Sequence, residues 1–239
     1  MYKRILLKLS GEALKDESNQ LILDSIQVNH IAQVIKDLHD NGVEIAIVIG
    51  AGNIWRGKLA DMIGIVPAHA DYMGMLGTVI NAVALASAVN NLGVGVKTYS
   101  AVSPIEEVAD AYSIEEADKA LSQGKVVFLA GGTGKPYCTT DTAAALRALE
   151  LNCEAILMGK NGVDGIYTGD PDTDPDAKFI KDITYNEILK RKLRVMDLSA
   201  VQLIKESNIS IRVFSMEDPH NFIRVVNGED LGTTVQKGE

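Results

Sequence analysis

The chain has 239 residues, 46% of them hydrophobic and 23% charged, enough to bury a sizeable core in one large α/β domain. Lysine and arginine number 23 against 32 aspartates and glutamates, a formal charge of −9, which argues against the broad basic face that nucleic-acid polymers reward. The two cysteines, Cys138 and Cys153, lack metal-ligand spacing, so neither a disulfide framework nor a zinc site is expected, and a reducing cytoplasm fits best.

Residues 1–4 lead straight into an apolar strand at 5–9, without the long apolar segment and small-residue cleavage site of a signal peptide. Ser10 and Gly11 follow it. Ile31, Val34, Ile35 and Leu38 form one apolar helical stripe, and a strand at 43–49 then runs into Gly50-Ala51-Gly52-Asn53. Trp55 reads as a packing plug, and Met73 and Met75 as core or interface filler. Residues 72–96 carry no charge and meet the length of a membrane helix, but Asn81, Ser87, Asn90 and Asn91 interrupt them. Gly93 reads as a C′ residue ahead of a strand at 94–98, so the helix before it is expected to be buried in the core or against another subunit, not in a membrane. Ser113 and Glu116 have capping-box spacing. A strand at 126–129 leads to Gly131-Gly132-Thr133-Gly134-Lys135-Pro136-Tyr137-Cys138-Thr139-Thr140-Asp141 and a helix opening near Thr142. A strand at 155–158 precedes Gly159-Lys160-Asn161-Gly162, and residues 168–176 form an acidic, turn-rich surface loop. Thr184 and Glu187 repeat the capping-box spacing, and Asp197 reads as the N-cap of a helix carrying Leu198, Val201 and Ile204. A last strand at 211–214 is followed by Asp218-Pro219, with proline at a first helical position. His30, His39, His69 and His220 show no ligand spacing.

Apolar runs alternating with helical patterns predict a largely parallel sheet covered on both faces. In such a sheet the turns after residues 9, 49, 129 and 158 share one edge, outside the carboxyl ends of the strands, where open α/β folds bind ligands. The glycines of residues 131–134 let a backbone turn its N–H groups towards an anion, and the helix after them adds a positive dipole end. Taken alone, the run is equally a structural turn. It is no Walker A loop, because Pro136 follows Lys135 and the glycine spacing fails. Lys8, Arg56 and Lys160 bring fixed cations to the same edge, as phosphoryl transfer requires.

Lys8-Leu9-Ser10-Gly11-Glu12, residues 48–53 with Arg56-Gly57, residues 71–76, Gly132-Thr133-Gly134 with Thr139-Thr140-Asp141, Val163-Asp164-Gly165 with Asp170-Pro171, and residues 195–198 together resemble the bacterial uridylate kinases. The resemblance runs from residue 2 to about residue 235. It implies the amino-acid-kinase fold, a three-layer αβα sandwich in a single domain, with an acceptor half at about 1–152 and an ATP half at about 153–239. It implies transfer of the γ-phosphate of ATP to UMP with magnesium, inhibition by UTP, and a homo-oligomer, a hexamer in the family. Lys8, Arg56 and Asp141 are then the expected catalytic groups, Asp141 orienting Lys8 or the phosphates, or capping its helix. Lys8, Leu9, Ser10, Gly11, Gly52, Arg56, Asn161, Tyr167 and Asp170 are expected at ATP. Ala51, Asp71 and residues 133–140, namely Thr133, Gly134, Lys135, Pro136, Tyr137, Cys138, Thr139 and Thr140, are expected at UMP, Asp71 on the ribose; no protein metal ligands are expected. Ala51 replaces a frequent third glycine and puts a methyl group near the acceptor phosphate, and residues 15–20 depart from the segment linked to GTP activation in many members. A kinase for a small acid such as acetylglutamate or aspartate, a non-catalytic binding or storage protein, and a structural oligomer are the alternatives. The pattern at 133–141 and Asp71 argue against the first, and intact Lys8, Arg56 and Asp170 against the others.

Overall fold

The computed structural model describes residues 1–15, 21–193, 195–218 and 220–238. The reading of residues 15–20 as a departure from the GTP-linked segment therefore falls, after Lys15, outside the described residues, as does Pro219.

A nine-stranded sheet forms the middle layer. In chain order its strands are β1 (Arg4–Leu9), β2 (Glu44–Ile49), β3 (Val96–Ser100), β4 (Asp110–Ala111), β5 (Val126–Ala130), β6 (Ala155–Lys160), β9 (Asp182–Thr184), β10 (Ser210–Ser215) and β11 (Thr233–Gln236), while β7 (Ile166–Tyr167) and β8 (Phe179–Ile180) make a separate antiparallel pair. Across the sheet the order is β4-β3-β5-β2-β1-β6-β10-β11-β9. Every pairing is parallel except β10 with β11, where Ile211 faces Val235. The central strands are near-continuous apolar runs because both of their faces are covered, as parallel sheets demand.

Side-chain alternation divides the core in two. Ile5, Leu7 and Leu9 pack on the layer of α1 (Ser25–Asp40), α3 (Pro67–Asn91) and α8 (His220–Val226). Leu6 points to the opposite layer, built from α4 (Ile114–Ser122), α5 (Thr140–Glu150), α6 (Tyr185–Arg191) and α7 (Leu198–Ile204). The short α2 (Lys58–Ile63) leads into α3. Three αβα layers result, as expected.

The helix starts follow their caps. Ser113 accepts from the Glu116 N–H, and Thr184 with Glu187 completes a full capping box. Asp197 holds the N-cap position of α7 but makes no side-chain cap bond, which corrects the sequence expectation. The strand expected at 94–98 starts two residues later, since Val94 packs into the core and Gly95 O accepts from Val126 N before the ladder begins. α3 is long and apolar enough by composition to cross a membrane, yet half of its most apolar stretch is packed inside the fold, against α1 and the sheet. The acidic loop at 168–176 joins β7 to β8.

Candidate active site

β5, β2, β1 and β6 are parallel neighbours, so their carboxyl ends open on one edge and the four glycine turns meet there. After β1, Ser10 caps a single 3-10 turn, Gly11–Leu14, its Oγ accepting from Glu12 N. Gly11 lies so close to the second turn that a Cβ would stand 2.4 Å from Asn53 Oδ1 and 2.6 Å from Gly50 O, so only glycine fits. Behind that turn Asn81, fully buried in α3, donates to Gly50 O at 2.7 Å and exchanges amide bonds with Asn53. The asparagine that seemed only to interrupt an apolar helix thus ties that helix to the site. The fourth turn begins later than expected: Gly159 and Lys160 still belong to β6.

The cations take distinct positions. Lys8 leaves β1 on the α5 side and its Nζ sits 2.7 Å from Asp141 Oδ1, both side chains about one-sixth exposed. Thr139, not Asp141, caps α5, accepting from Thr142 N at 3.2 Å; the helix therefore opens at Thr140. Asp141 is left to orient Lys8, and its Oδ2 accepts from the Asp197 N–H at 3.1 Å. The structure gives the side-chain cap bond to Thr139 and an ion pair with Lys8 to Asp141. Lys160 stands close enough to Lys8 and Asp141 to feel both charges; burial, then Lys8, push its ammonium below the usual lysine range, against the pull of Asp141. Arg56 does not join this cluster. Its Nη2 donates to Glu12 Oε1 at 2.6 Å and its Nε to Gly52 O at 3.3 Å. Glu12 also holds Lys15 at 2.7 Å, and these two cations, Lys15 first, keep its carboxyl below the usual glutamate range.

Between the second and third turns lies a cavity of about 270 Å³, lined by Ala51, Gly52, Asp71, Cys138, Thr139 and Thr140 of the expected acceptor set, with Gly132. Trp55, Gly57, Ala70, Gly74, Met75 and Thr78 complete its wall. Trp55, read from sequence as a packing plug, and Met75, read as filler, therefore line the cavity, and the buried indole Nε1 has no hydrogen-bond partner among the described residues. The Ala51 methyl packs towards Gly77 of α3, where an added Cβ would come within 2.8 Å of it. Asp71 Oδ2 accepts from Tyr137 N at 2.7 Å, pinning a residue with φ +64°. Thr133 folds its hydroxyl onto the loop, accepting from Lys135 N and donating to Lys135 O. Pro136 is half-buried, while Lys135 and Tyr137 are exposed and line no part of this cavity. Gly134, at φ +75°, backs onto Ala101 O, 2.4 Å from where a Cβ would stand.

The expected ATP residues are less gathered. Tyr167 lines a cavity of about 290 Å³ with Val163, Asp164, Asp172, Ser215 and Glu217. Its hydroxyl donates to Asp164 at 2.6 Å and its ring meets Phe179 edge-on. Asn161 instead lines a separate cavity of about 580 Å³ between β1, α1 and Phe222, together with the Leu9 side chain. Leu9 is buried, 3% exposed. Asp170 lines neither cavity and accepts from Asp172 N within its own turn. Among the described residues no group of three or more His, Cys, Asp or Glu side chains is arranged to hold a metal ion. Cys153 is buried, its thiol pushed up to about 12, and takes no part.

Known proteins share this architecture over its whole length. The amino acid kinase family matches residues 3–215. A uridylate kinase of Pediococcus pentosaceus is 44% identical over 238 residues, covering 100% of this chain and 98% of the relative. One of Mycoplasma capricolum subsp. capricolum is 46% identical over 236 residues, with 98% of each chain covered. The crystal structure of a UMP kinase from Bacillus anthracis superposes with a TM-score of 0.95 at 38% identity, covering 100% of this chain and 97% of that one. With the strand-end lysine paired to the helix-borne aspartate and four glycine turns on one sheet edge, the chain is a phosphotransferase that belongs to the amino acid kinase family and, within it, to the uridylate kinases.

Proposed function

We propose that this enzyme transfers the γ-phosphoryl group of ATP to UMP, giving ADP and UDP. The observation that carries the reading is the Lys8–Asp141 ion pair at the mouth of β1, on the sheet edge shared with the acceptor cavity. UMP occupies that cavity, with Asp71, Gly132, Cys138, Thr139 and Thr140 around it and Gly52 and Arg56 near the phosphates at the transfer point. ATP approaches from the side of Asn161, Tyr167 and Asp170, its terminal phosphate over Ser10, Gly11 and Lys8.

No general base is required. A phosphate monoester has a second pKa of about 6, so the acceptor oxygen is already mostly ionised near neutrality. The remaining barrier is repulsion between two anions, and the protein answers it with fixed charge: Lys8 held by Asp141, Lys160 beside it, and Arg56 on the acceptor side. Arg56 reaches a phosphate by exchanging its Glu12 contact for it. Magnesium bound with ATP would supply further charge neutralisation. UTP, which shares the uridine end, competes for the acceptor cavity.

Coupled ADP release with UMP, CMP, glutamate and aspartate as acceptors tests the assignment. UMP is expected to be preferred, and preference for any other acceptor would overturn it.

A further inference from the structure

The third glycine turn is a wall between two cavities. Gly132 lines the acceptor cavity, whereas Thr133 lines a second one, of about 670 Å³, on the far side. Behind the wall stands Arg147 of α5, 5% exposed. Its Nη1 donates to Glu150 at 2.6 Å, and its guanidinium carbon lies 3.8 Å from the centre of the Tyr112 ring. The Tyr112 hydroxyl donates to the same Glu150 oxygen at 2.6 Å. The remaining arm of the guanidinium, Nη2, donates to Gly132 O at 3.2 Å. Glu150 balances the charge of Arg147, as Asp141 balances that of Lys8.

We propose that Arg147 is a positioning residue for the acceptor grip, fixing the Gly132–Thr133 peptide so that the Thr133 N–H faces the acceptor cavity. This rests on residues 132–140 being the UMP grip. A trans peptide is planar, so its N–H points opposite to its C=O. With Gly132 O held by Arg147 on the far side, the Thr133 N–H is directed to the near side. The hold matters because Gly131, Gly132 and Gly134, at φ +76°, +58° and +75°, make the turn permissive, and while Gly131 N is tied to Thr78 and Gly134 N to Gly131 O, the Gly132–Thr133 plane between them is held by Arg147. An N–H already aimed at its ligand avoids the ordering cost that a freely rotating one incurs on binding. The planar guanidinium fork serves a carboxylate, a carbonyl and an aromatic face at once, which a lysine ammonium cannot.

Trp55 is the chain's sole tryptophan and lies in the acceptor wall, so its fluorescence reads UMP binding without turnover. In the full-length Arg147→Met protein the Kd for UMP should rise about tenfold, the scale of losing one charge-assisted buried hydrogen bond. The KM for ATP should stay within about twofold, as expected when only acceptor binding is lost. Arg147→Lys, which keeps a charge beside Glu150 and guards against a Met variant that does not fold, should fall in between. A folded Arg147→Lys protein with wild-type affinity for UMP, or KM values for ATP and UMP that rise together, would overturn the role while leaving the acceptor assignment standing. A wild-type protein that neither binds UMP nor releases ADP with it would overturn both.

Discussion

Lys8 and Lys160 are two cations on one edge in different surroundings, and the difference gives separate tests. Lys8 keeps Asp141 as a partner at 2.7 Å, so removing it takes charge from the transfer point without touching the acceptor cavity wall. Lys8→Ala should leave UMP binding, read by Trp55 fluorescence, near wild type and lower turnover by on the order of a hundredfold or more, the scale of losing one fixed electrostatic donor. Near-normal turnover would remove Lys8 from the chemistry. Lys160 is held below the ordinary lysine range by burial and then by Lys8. A group depressed in this way destabilises the fold while it is charged, and that cost fades as pH rises through its folded value towards its unfolded one. Bound polyphosphate restores the proton, so nucleotide affinity moves the other way. Over the window between the depressed value and the ordinary one, wild type minus Lys160→Met should show stability rising and ATP affinity falling with pH. Melting and binding titrations would read both, and parallel wild-type and variant curves would mean that Lys160 does not meet the nucleotide.

The first two glycine turns show what the edge needs from its elements. Gly11→Ala would drive a methyl group into Asn53 Oδ1 and Gly50 O, both fixed from behind by Asn81, so relief requires the two turns to separate. We expect a loss of about 1–3 kcal/mol, the usual range for overpacking, measurable by urea unfolding, together with reduced turnover. Stability equal to wild type would show that the turns part freely. This edge was legible in the sequence because each central strand is an apolar run ended by glycine, so Lys8, Arg56 and residues 131–141 could be set on one side of the sheet from pattern alone. The two-residue strands β4, β7 and β8 and the short β9 and β11 carried no such signal. Thr233–Gln236, for example, becomes a strand only because Val235 finds Ile211 across the ladder. Equally invisible to local pattern were Glu12, Asn81, Thr78 and the cavity-facing side of Trp55, whose roles depend on where α3 and the 3-10 turn dock. Thr78, buried in α3, accepts from Gly131 N at 2.8 Å, and nothing in its sequence neighbourhood marks it. Asp197 shows the converse: a favourable local context for a cap, with its N–H drawn instead to Asp141.

At the scale of the molecule, α3 presents two faces. One supplies Ala70, Asp71, Gly74, Met75 and Thr78 to the acceptor cavity. The other exposes Leu76 at 55% and Ile80 at 48%, and the preceding residues Met62 at 83%, Ile63 at 66% and Val66 at 55% are exposed as well. In a chain of net charge −9, repulsion favours dispersal, yet residues 72–96 bring no charge to this face. An apolar surface of this kind on an otherwise acidic molecule is suited to a second copy of itself. Because the same helix forms the acceptor wall, association would brace Asp71 and Met75 from behind, and oligomeric state and UMP affinity should change together. The double variant Leu76→Glu, Ile80→Glu places like charges where the two copies would meet. Sedimentation velocity should show a smaller particle than wild type, and UMP titration a weaker grip. An unchanged sedimentation coefficient would exclude this face as the interface, and a smaller particle with unchanged UMP affinity would separate assembly from the acceptor wall.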